Sequence, residues 1–558
     1  MEKQRFGLHR WKIRFIGIKL ENIELILEKP HGMASFSMRW ICKALPVILS
    51  CSFLIFVALQ LMHTNLITTE VPVTSARTTE VSVLVDTRKK MNMEDLLKDV
   101  QIRLPSLPLW SLNATTQTKP LYKNATCARY PSVFDLEFNN INWQTLKTSN
   151  GTFQLYNAYY DARRKSLIGP SVRVLGMIDR IEPTIITYCQ LWFADQQTPV
   201  FAKLFEYKYI WNKAFGNYKQ NIYQPYLMTC KIPVKYHGRI PASVSVVETP
   251  CDNATNNLNV LYDKPVKKKG FAVCVKGLDF LYEDLSVHLV EWIELLNILG
   301  AEKIYFYELQ VHPNISKVLK HYENRDMIQV TPLTLPGSQP NIPGFQHLYL
   351  TKKTNTKRQN EVIPYNDCLY KNLYKYKYIA LLDIDEVIMP VKDANWKDLM
   401  LRVRPKSMIK KRKRTRASYD VRNVYFLDKH LHGHGWYKDI PKYLHMLQHV
   451  HRSQNFTKPG QYVKCFHNPE RVLTLHNHYP FACIGGACSS YPIETADAQM
   501  QHYRADCVNG MQNCAEYSEH SIEDTTIWRY KEELIARSNS ALTALGFFGD
   551  SKVDTQRR

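Results

Sequence analysis

Between residues 121 and 260 the chain alternates apolar and polar positions in short runs. They are FQLYNAYYDAR (153–163), SVRVLGMI (171–178), TIITYCQLWF (184–193), NIYQPYLMTCKIP (221–233) and ASVSVVET (242–249). Enrichment in Tyr, Val and Thr, with frequent turns between the runs, predicts a mostly β amino-terminal region. Near residue 268 the rhythm changes. FAVCVKGL (271–278) reads as a strand, and EDLSVHLVEWIELLNILG (283–300) as an amphipathic helix with Leu285, Leu289, Ile293 and Leu296 on one stripe and Gly300 at its carboxyl end. KIYFYEL, NISKVLKHYEN, MIQVTPL, NDCLYKNLYKY and YIALLDID then predict strand, helix, strand, helix and strand. Alternating units of this length imply an α/β domain built on a doubly wound, mainly parallel sheet, with ligands outside the strand carboxyl ends.

The last of those strands carries the chemistry. Apolar Tyr378–Leu382 drives into Asp383-Ile384-Asp385-Glu386. Strand alternation would put Asp383 and Asp385 on one face, and buried carboxylates must be paired or metal-bound. Two carboxylates at the carboxyl end of a strand suit a hard divalent cation gripping a diphosphate, the Asp-x-Asp arrangement of enzymes that use nucleotide sugars. The alternative is a solvated turn closing an ordinary strand.

Residues 44–62, ALPVILSCSFLIFVALQLM, are mostly apolar and have the length of a membrane span. Nine basic against four acidic residues precede them, and no basic residue follows before Arg77. The charge asymmetry predicts a type II anchor with residues 1–43 cytosolic, rather than a cleaved signal peptide. Beyond it, residues 63–120 read as an extended Thr- and Val-rich stem, 121–260 as the β-rich lumenal region, 261–520 as the catalytic domain and 521–558 as a carboxyl-terminal extension.

Glycosylation sequons at Asn113, Asn124, Asn150, Asn253, Asn314 and Asn455 all follow the anchor. Eleven of the 13 cysteines fall between Cys127 and Cys514. In an oxidising compartment most should pair, and an odd number leaves one unpaired within the chain. Cys483 and Cys488, and Cys507 and Cys514, would close short loops or cross-link with each other. Zinc is the rival reading for that cluster, with His502 nearby, but the spacing is not C-x-x-C twice over and oxidised cysteines cannot bind metal.

The formal net charge of +22 raises nucleic acid as a partner, but its distribution excludes it. Residues 1–43 and the run RVRPKSMIKKRKRTR (402–416) together hold +14, and the remainder is spread thinly. The run reads as a solvated loop, with an anion-attracting patch or a protease-sensitive site as the sharper alternatives.

The string FAVCVKGLDFLYEDLSVHLVEWIELLNILGAEKIYFYE, followed by NDCLYKN and LLDIDEVIMP, resembles glycosyltransferase family 92. NAYYDARR and TYCQLWF upstream, and KCFHNPERVLTLHNH and QHYR downstream, extend the resemblance over roughly residues 150–510. Val387 stands where the family usually has Phe, a packing change. The resemblance implies a GT-A-type fold, a UDP-sugar donor, Mn²⁺ or a similar divalent cation, and inverting transfer, with β-linked galactose the best-known product. The glycan acceptor would lie on a glycoprotein or glycolipid, and the protein would work in the Golgi membrane, with self-association as a homodimer left open.

On that reading Asp385 is the principal metal ligand, and Asp383 contacts ribose or metal-bound water. His476 or His478 supplies a third ligand, His476 being preferred. Inversion needs a carboxylate base, for which Glu470, Glu494, Asp497 and Asp506 are open, Glu386 lying too close to the metal. Lys464, Tyr503 and Arg504 are candidates for holding phosphate or acceptor, and Lys276 and Asp279 for contacting the nucleotide. Rival readings are a transferase of another sugar such as GlcNAc, a non-catalytic glycan-binding module, and a tethered hydrolase.

Overall fold

The structure, a computed structural model, describes residues 92–109, 127–408, 415–507 and 514–548. A helix, α1 (Met93–Arg103), precedes nine strands that form one sheet: β1 (Phe138–Asn140), β2 (Trp143–Thr148), β3 (Gly151–Asp161), β4 (Ser171–Ile178), β5 (Tyr188–Trp192), β6 (Val200–Tyr209), β7 (Gln224–Lys231), β8 (Ser243–Val247) and β9 (Leu258–Leu261). β3 pairs antiparallel with β4 and parallel with β9, which closes β3-β4-β7-β6-β5-β8-β9 into a seven-stranded barrel. Phe153, Leu155, Val174, Leu191, Met228 and Val246 fill its interior, and the Cys189–Cys230 disulfide ties β5 to β7. Tyr156 and Tyr159 of β3 join a different core with the second sheet. Both faces of β3 are therefore buried, so its sequence is almost continuously apolar and aromatic.

The second sheet orders β12-β11-β10-β13-β18-β15-β21. Its strands are β10 (Lys269–Phe280), β11 (Ala301–Val311), β12 (Ile328–Pro332), β13 (Tyr376–Leu381), β15 (Ser418–Val421), β18 (Lys464–His467) and β21 (Ser490–Pro492). Helices α2 (Ser286–Leu299) and α3 (Pro313–Glu323), then α4 (Phe345–Lys352) with α5 (Thr354–Lys371), connect the parallel strands. Gly300 ends α2 at φ +105°, a left-handed cap open to glycine at little cost. β14 (Glu386–Pro390), β16 (Asn423–Leu427) and β22 (Ala498–Arg504) form a three-stranded sheet with β22 in the middle. Between these strands lie α6 (Trp396–Ser407), α7 (Asp428–His434) and α8 (His445–Gln448). Two small pairs, β17 (His451–Ser453) with β23 (Ser521–Glu523) and β19 (Val472–Leu475) with β20 (Pro480–Cys483), complete the strands.

Asp367 on α5 joins barrel and second sheet. It accepts from Asn157 Nδ2 at 2.6 Å and from the hydroxyls of Tyr159 and Tyr307, with Lys371 Nζ 2.6 Å away. The last helix, α9 (Lys531–Ala544), lies against α2, where Arg537 donates to Asn297 at 2.7 Å.

Two expectations are corrected here. The fold is not the expected GT-A-type doubly wound, mainly parallel sheet following a mostly β amino-terminal region. Among the described residues it is a mixed α/β structure with a closed barrel and four further sheets. Parallel pairing with helical crossovers runs only from β12 to β13. Beyond it β18 pairs antiparallel with both neighbours, and β14, β16 and β22 make their own sheet. The expected single-pass Golgi membrane protein is corrected as well. Among the described residues no helix is long and apolar enough to cross a membrane. The stretch 44–62, like the stem expected at 63–120 for most of its length, lies outside the described residues.

Among the described residues ten cysteines pair: Cys127–Cys251, Cys189–Cys230, Cys274–Cys368, Cys483–Cys488 and Cys507–Cys514. Cys465 is buried and unpaired. The two short loops close on themselves rather than cross-linking. In the basic run, 409–414 lie outside the described residues, while Arg402 is held by Asp393 and Asp497 and Arg416 donates to the Ser407 carbonyl.

Candidate active site

β13 stops at Leu381, so Asp383 and Asp385 sit in a turn rather than in a strand. The turn is closed twice. Glu386 N–H donates to the Asp383 carbonyl at 3.0 Å, and Asp383 N–H donates to Glu386 Oε2 at 2.9 Å. The two aspartates consequently differ in exposure, Asp383 having 17% of its side chain accessible and Asp385 39%. Strand alternation does not set their directions; the turn does.

Asp383 is the anionic centre of a buried ionic group. Lys276 Nζ lies 3.2 Å from Asp383 Oδ2 and Lys464 Nζ 3.6 Å, while Lys464 also reaches Glu386 at 2.9 Å. Glu361 adds a further carboxylate 3.9 Å from Lys276. Burial pushes the Asp383 carboxyl up, but Lys276 and Lys464 outweigh it and hold the group well below the ordinary carboxylate range. Burial raises Glu386, which Lys464 opposes only in part.

Asp385 points elsewhere. His502 Nε2 lies 3.2 Å from its Oδ2, and Arg504 Nη1 3.9 Å. Burial would raise its carboxyl, and the imidazole brings it below its ordinary value. The local fold dictates this pairing: in the β14–β22 ladder Glu386 stands opposite His502, and Tyr503 N–H donates to the Asp385 carbonyl at 2.9 Å.

A cleft of about 660 Å³ opens at this turn. Lys276, Lys357, Asp383, Asp385, Arg504 and Asp506 line it. Cationic side chains thus face the same space as Asp385, an arrangement suited to a metal-bound diphosphate.

Of the other residues singled out in the sequence, Lys464 is fully buried behind the cleft, bonded to Asn477 Oδ1 at 2.8 Å. Asp279 is buried against Gln310 at 2.8 Å and His347 at 3.2 Å and does not line the cleft. Glu470 lies outside the cleft, paired with Lys268 at 2.6 Å. Asp497 is held by Lys392 and Arg402, and neither it nor Glu494 lines the cleft. Tyr503 is buried, stacked on Phe426 at 4.7 Å, with its hydroxyl donating to Gln501. His476 packs among Trp211, Phe215 and Tyr479, and burial depresses it to about 4. His478 sits against the Val463 carbonyl at 3.1 Å, depressed to about 3 by burial and by Lys464. Neither histidine lines the cleft.

His502, which in the sequence stands out only beside the cysteine cluster, is the imidazole next to Asp385; it is buried and backs that carboxylate rather than lining the cleft itself. Its signal was present in the QHYR segment. The accessible Asp385 carboxylate with the His502 imidazole nitrogen 3.2 Å away is a donor pair of the kind a divalent cation takes, and Asp383 Oδ1 nearby in the chain is buried with no hydrogen-bond partner. Ions of this class take few protein ligands when a diphosphate and water supply the rest. The carboxylate of Asp506 also clusters with Cys507 and Cys514, but those sulfurs are joined in a disulfide and offer no thiolate.

Residues 269–538 match the model of glycosyltransferase family 92. A relative from Caenorhabditis elegans, "Beta-1,4-galactosyltransferase galt-1", is 26% identical over 179 residues. The match spans 30% of this chain and 38% of the relative's length. Among solved structures, residues 1–349 of TarS from S. aureus align over 51% of this chain and 77% of that one at 11% identity, with a TM-score of 0.18. So low a score supports no inference about fold or function.

Proposed function

We propose that this chain, whose residues 269–538 match glycosyltransferase family 92, transfers a hexose, galactose in the first instance, from a UDP-sugar to a glycan hydroxyl with inversion, using Mn²⁺ or a similar divalent cation. The observation that carries the reading is the pairing of cleft-lining, accessible Asp385 with His502 behind it, beside an Asp383 kept ionised by two lysines. Galactose and β linkage are suggested by the name of the C. elegans relative.

Asp385 and His502 would hold the cation, which supplies positive charge against the departing diphosphate. Arg504 and Lys276, lining the same cleft, offer donors to the phosphate oxygens. Lys464 is too deeply buried for that task; it keeps Asp383 charged and fixes the turn through Glu386. Tyr503 N–H, by holding the Asp385 carbonyl, orients the metal-binding carboxylate.

The test is the full chain incubated with UDP-galactose, Mn²⁺ and a fucose- or galactose-bearing glycan, with the product linkage read by NMR. A β-linked galactoside is expected. Use of UDP-GlcNAc without UDP-galactose would overturn the sugar while sparing the metal-dependent mechanism. An α-linked product would overturn inversion.

A further inference from the structure

The same cleft carries a second polar group that donor binding leaves unused. His445 Nε2 lies 3.1 Å from Asp428 Oδ1, and both residues line the cleft. His288 stacks on the His445 ring with centroids 4.9 Å apart, and His449 Nε2 is 4.0 Å from the same Asp428 oxygen. Glu291 accepts from the N–H groups of Met446 and Leu447 at 3.0 Å each, which fixes the start of α8 where His445 stands.

Topology brings this group to the donor carboxylates. In the three-stranded sheet β22 is flanked on one side by β14, which begins immediately after Asp385, and on the other by β16, which ends immediately before Asp428. His502 is opposite Glu386, and Arg504 is opposite Leu427. Asp385 and Asp428 therefore stand next to the two outer strands at one end of one sheet, and Leu285, Met446 and Tyr503 supply apolar wall to the same cleft.

Four of the other carboxylates of the cleft are committed; the fifth, Glu283, is exposed on the loop that leads into α2. Asp383 is neutralised by Lys276 and Lys464, and Asp385 faces His502 and Arg504. Glu291 is tied to α8, and Asp506 Oδ1 accepts from its neighbour Cys507 N–H at 2.7 Å. His445 is different: it is partly accessible, and its Nε2 is turned onto a carboxylate, which leaves Nδ1 as an acceptor.

We propose that His445, oriented by Asp428, is the base that takes the proton of the attacking sugar hydroxyl, and that the apolar wall beside it seats the acceptor sugar ring. The assignment rests on the inverting-transferase reading above. The hydroxyl proton passes to His445 Nδ1 as the oxygen bonds to the anomeric carbon. The bond from that carbon to the β-phosphate oxygen breaks, and its electron pair leaves with UDP. The imidazolium, held by the Asp428 carboxylate, then releases its proton to water. Charged and titratable groups facing His445 are His288 and Glu291 from α2, Asp428 from α7, Tyr503 from β22 and His449 just past the end of α8. Burial and the neighbouring His445 depress His288 to about 4, so it stacks as a neutral ring near neutral pH.

The experiment compares full-length wild type, His445→Gln, Asp428→Asn and Asp385→Asn. UDP release from UDP-galactose with Mn²⁺ is measured from pH 5 to 9, with water alone and with methyl α-L-fucoside or methyl β-D-galactoside as acceptor. Mn²⁺–UDP binding is measured alongside. For His445→Gln the expected result is a kcat roughly 100-fold lower or more, loss of the acidic limb of the kcat–pH profile, and Mn²⁺–UDP affinity within twofold of wild type. Asp428→Asn should move that limb with a smaller loss of kcat, while Asp385→Asn should lose Mn²⁺–UDP binding. His445→Gln that keeps the wild-type kcat or acidic limb overturns the base assignment alone. A His445→Gln that loses Mn²⁺–UDP binding also overturns it, because the residue would then belong to the donor site. A wild type that releases UDP from no UDP-hexose overturns the transferase reading and this assignment with it.

Discussion

His502 Nε2 lies 3.2 Å from Asp385 Oδ2, across the β14–β22 ladder that sets Glu386 opposite His502. This contact makes the Asp-x-Asp turn more than two adjacent carboxylates. It gives Asp385 an imidazole partner of metal-ligand type and leaves Asp383 to a separate, lysine-bound environment. The two aspartates therefore make different predictions.

Asp383→Asn should act chiefly on stability. The amide would leave Lys276 and buried Lys464 facing a neutral group, and breaking a buried pair costs about 3–5 kcal/mol. Asp385→Asn, on a side chain 39% accessible, should change the melting temperature little and remove metal-dependent turnover. Thermal melts of the two variants side by side check this; a larger loss for Asp385→Asn would contradict it.

His502→Ala should weaken Mn²⁺ affinity by roughly 10- to 100-fold. His476→Ala should leave that affinity unchanged and lower the melting temperature, because His476 packs among Trp211, Phe215 and Tyr479 rather than at the cleft. Mn²⁺ titration of the two variants separates the roles, and the reverse ranking would return the metal to the segment around His476.

Asp161 and Arg163 form a fully buried ion pair at 2.8 Å in the barrel wall, joined by Arg173 at 3.3 Å. Asp161→Asn should cost about 3–5 kcal/mol. Burial raises the Asp161 carboxyl, and Arg163 and Arg173 bring it down to about 2. A depressed carboxyl stabilises the fold fully above its unfolded value of 3.8 and loses that contribution as pH falls toward 2. Denaturant melts at pH 5 and pH 3 should show the wild type losing more than Asp161→Asn between those two values.

Acid should act earlier through the histidines. His288, His449 and His476 are depressed to about 4, and His467 and His478 to about 3, burial being the largest cause in each. Each favours its neutral form in the fold, so its contribution is intact above 6.5 and declines as pH falls through 6.5 toward the folded values. Glu291, raised by burial to about 7, has the opposite sign: its contribution is present below 4.5 and declines as pH rises through 7. Five histidines outweigh one glutamate, so melting temperature should fall from pH 6.5 to pH 4.5, and a flat profile would contradict the buried, neutral histidines.

Much of this was legible in the sequence. The strands FAVCVKGL, KIYFYEL and MIQVTPL and helix α2 with its Gly300 cap followed from apolar spacing that packing reinforced. Barrel closure was not legible, because β3 meets β9 about 100 residues later and no local pattern encodes which edges pair. The apolar spacing marks α5 only from Asn366 onward, although it begins at Thr354; the polar TNTKRQNE and Pro364 hide its first turns. Asp383 and Asp385 were found, but as one strand face rather than a turn. The third ligand was sought in RVLTLHNHYP because two histidines alternate there, whereas ladder register, invisible in sequence, brings His502 instead. Asp428 and His445 stand in segments with no distinguishing spacing at all.

The most direct measurement is Mn²⁺-dependent release of UDP from UDP-galactose by the full chain and by Asp385→Asn at matched folded concentration. Wild type should turn over, EDTA should abolish turnover, and Mn²⁺ should restore it better than Ca²⁺, since a diphosphate favours a small octahedral ion. Asp385→Asn should fall by roughly 100-fold or more. Equal turnover by wild type and Asp385→Asn at limiting Mn²⁺ would show that the carboxylate beside His502 is structural and that the metal-assisted account is wrong.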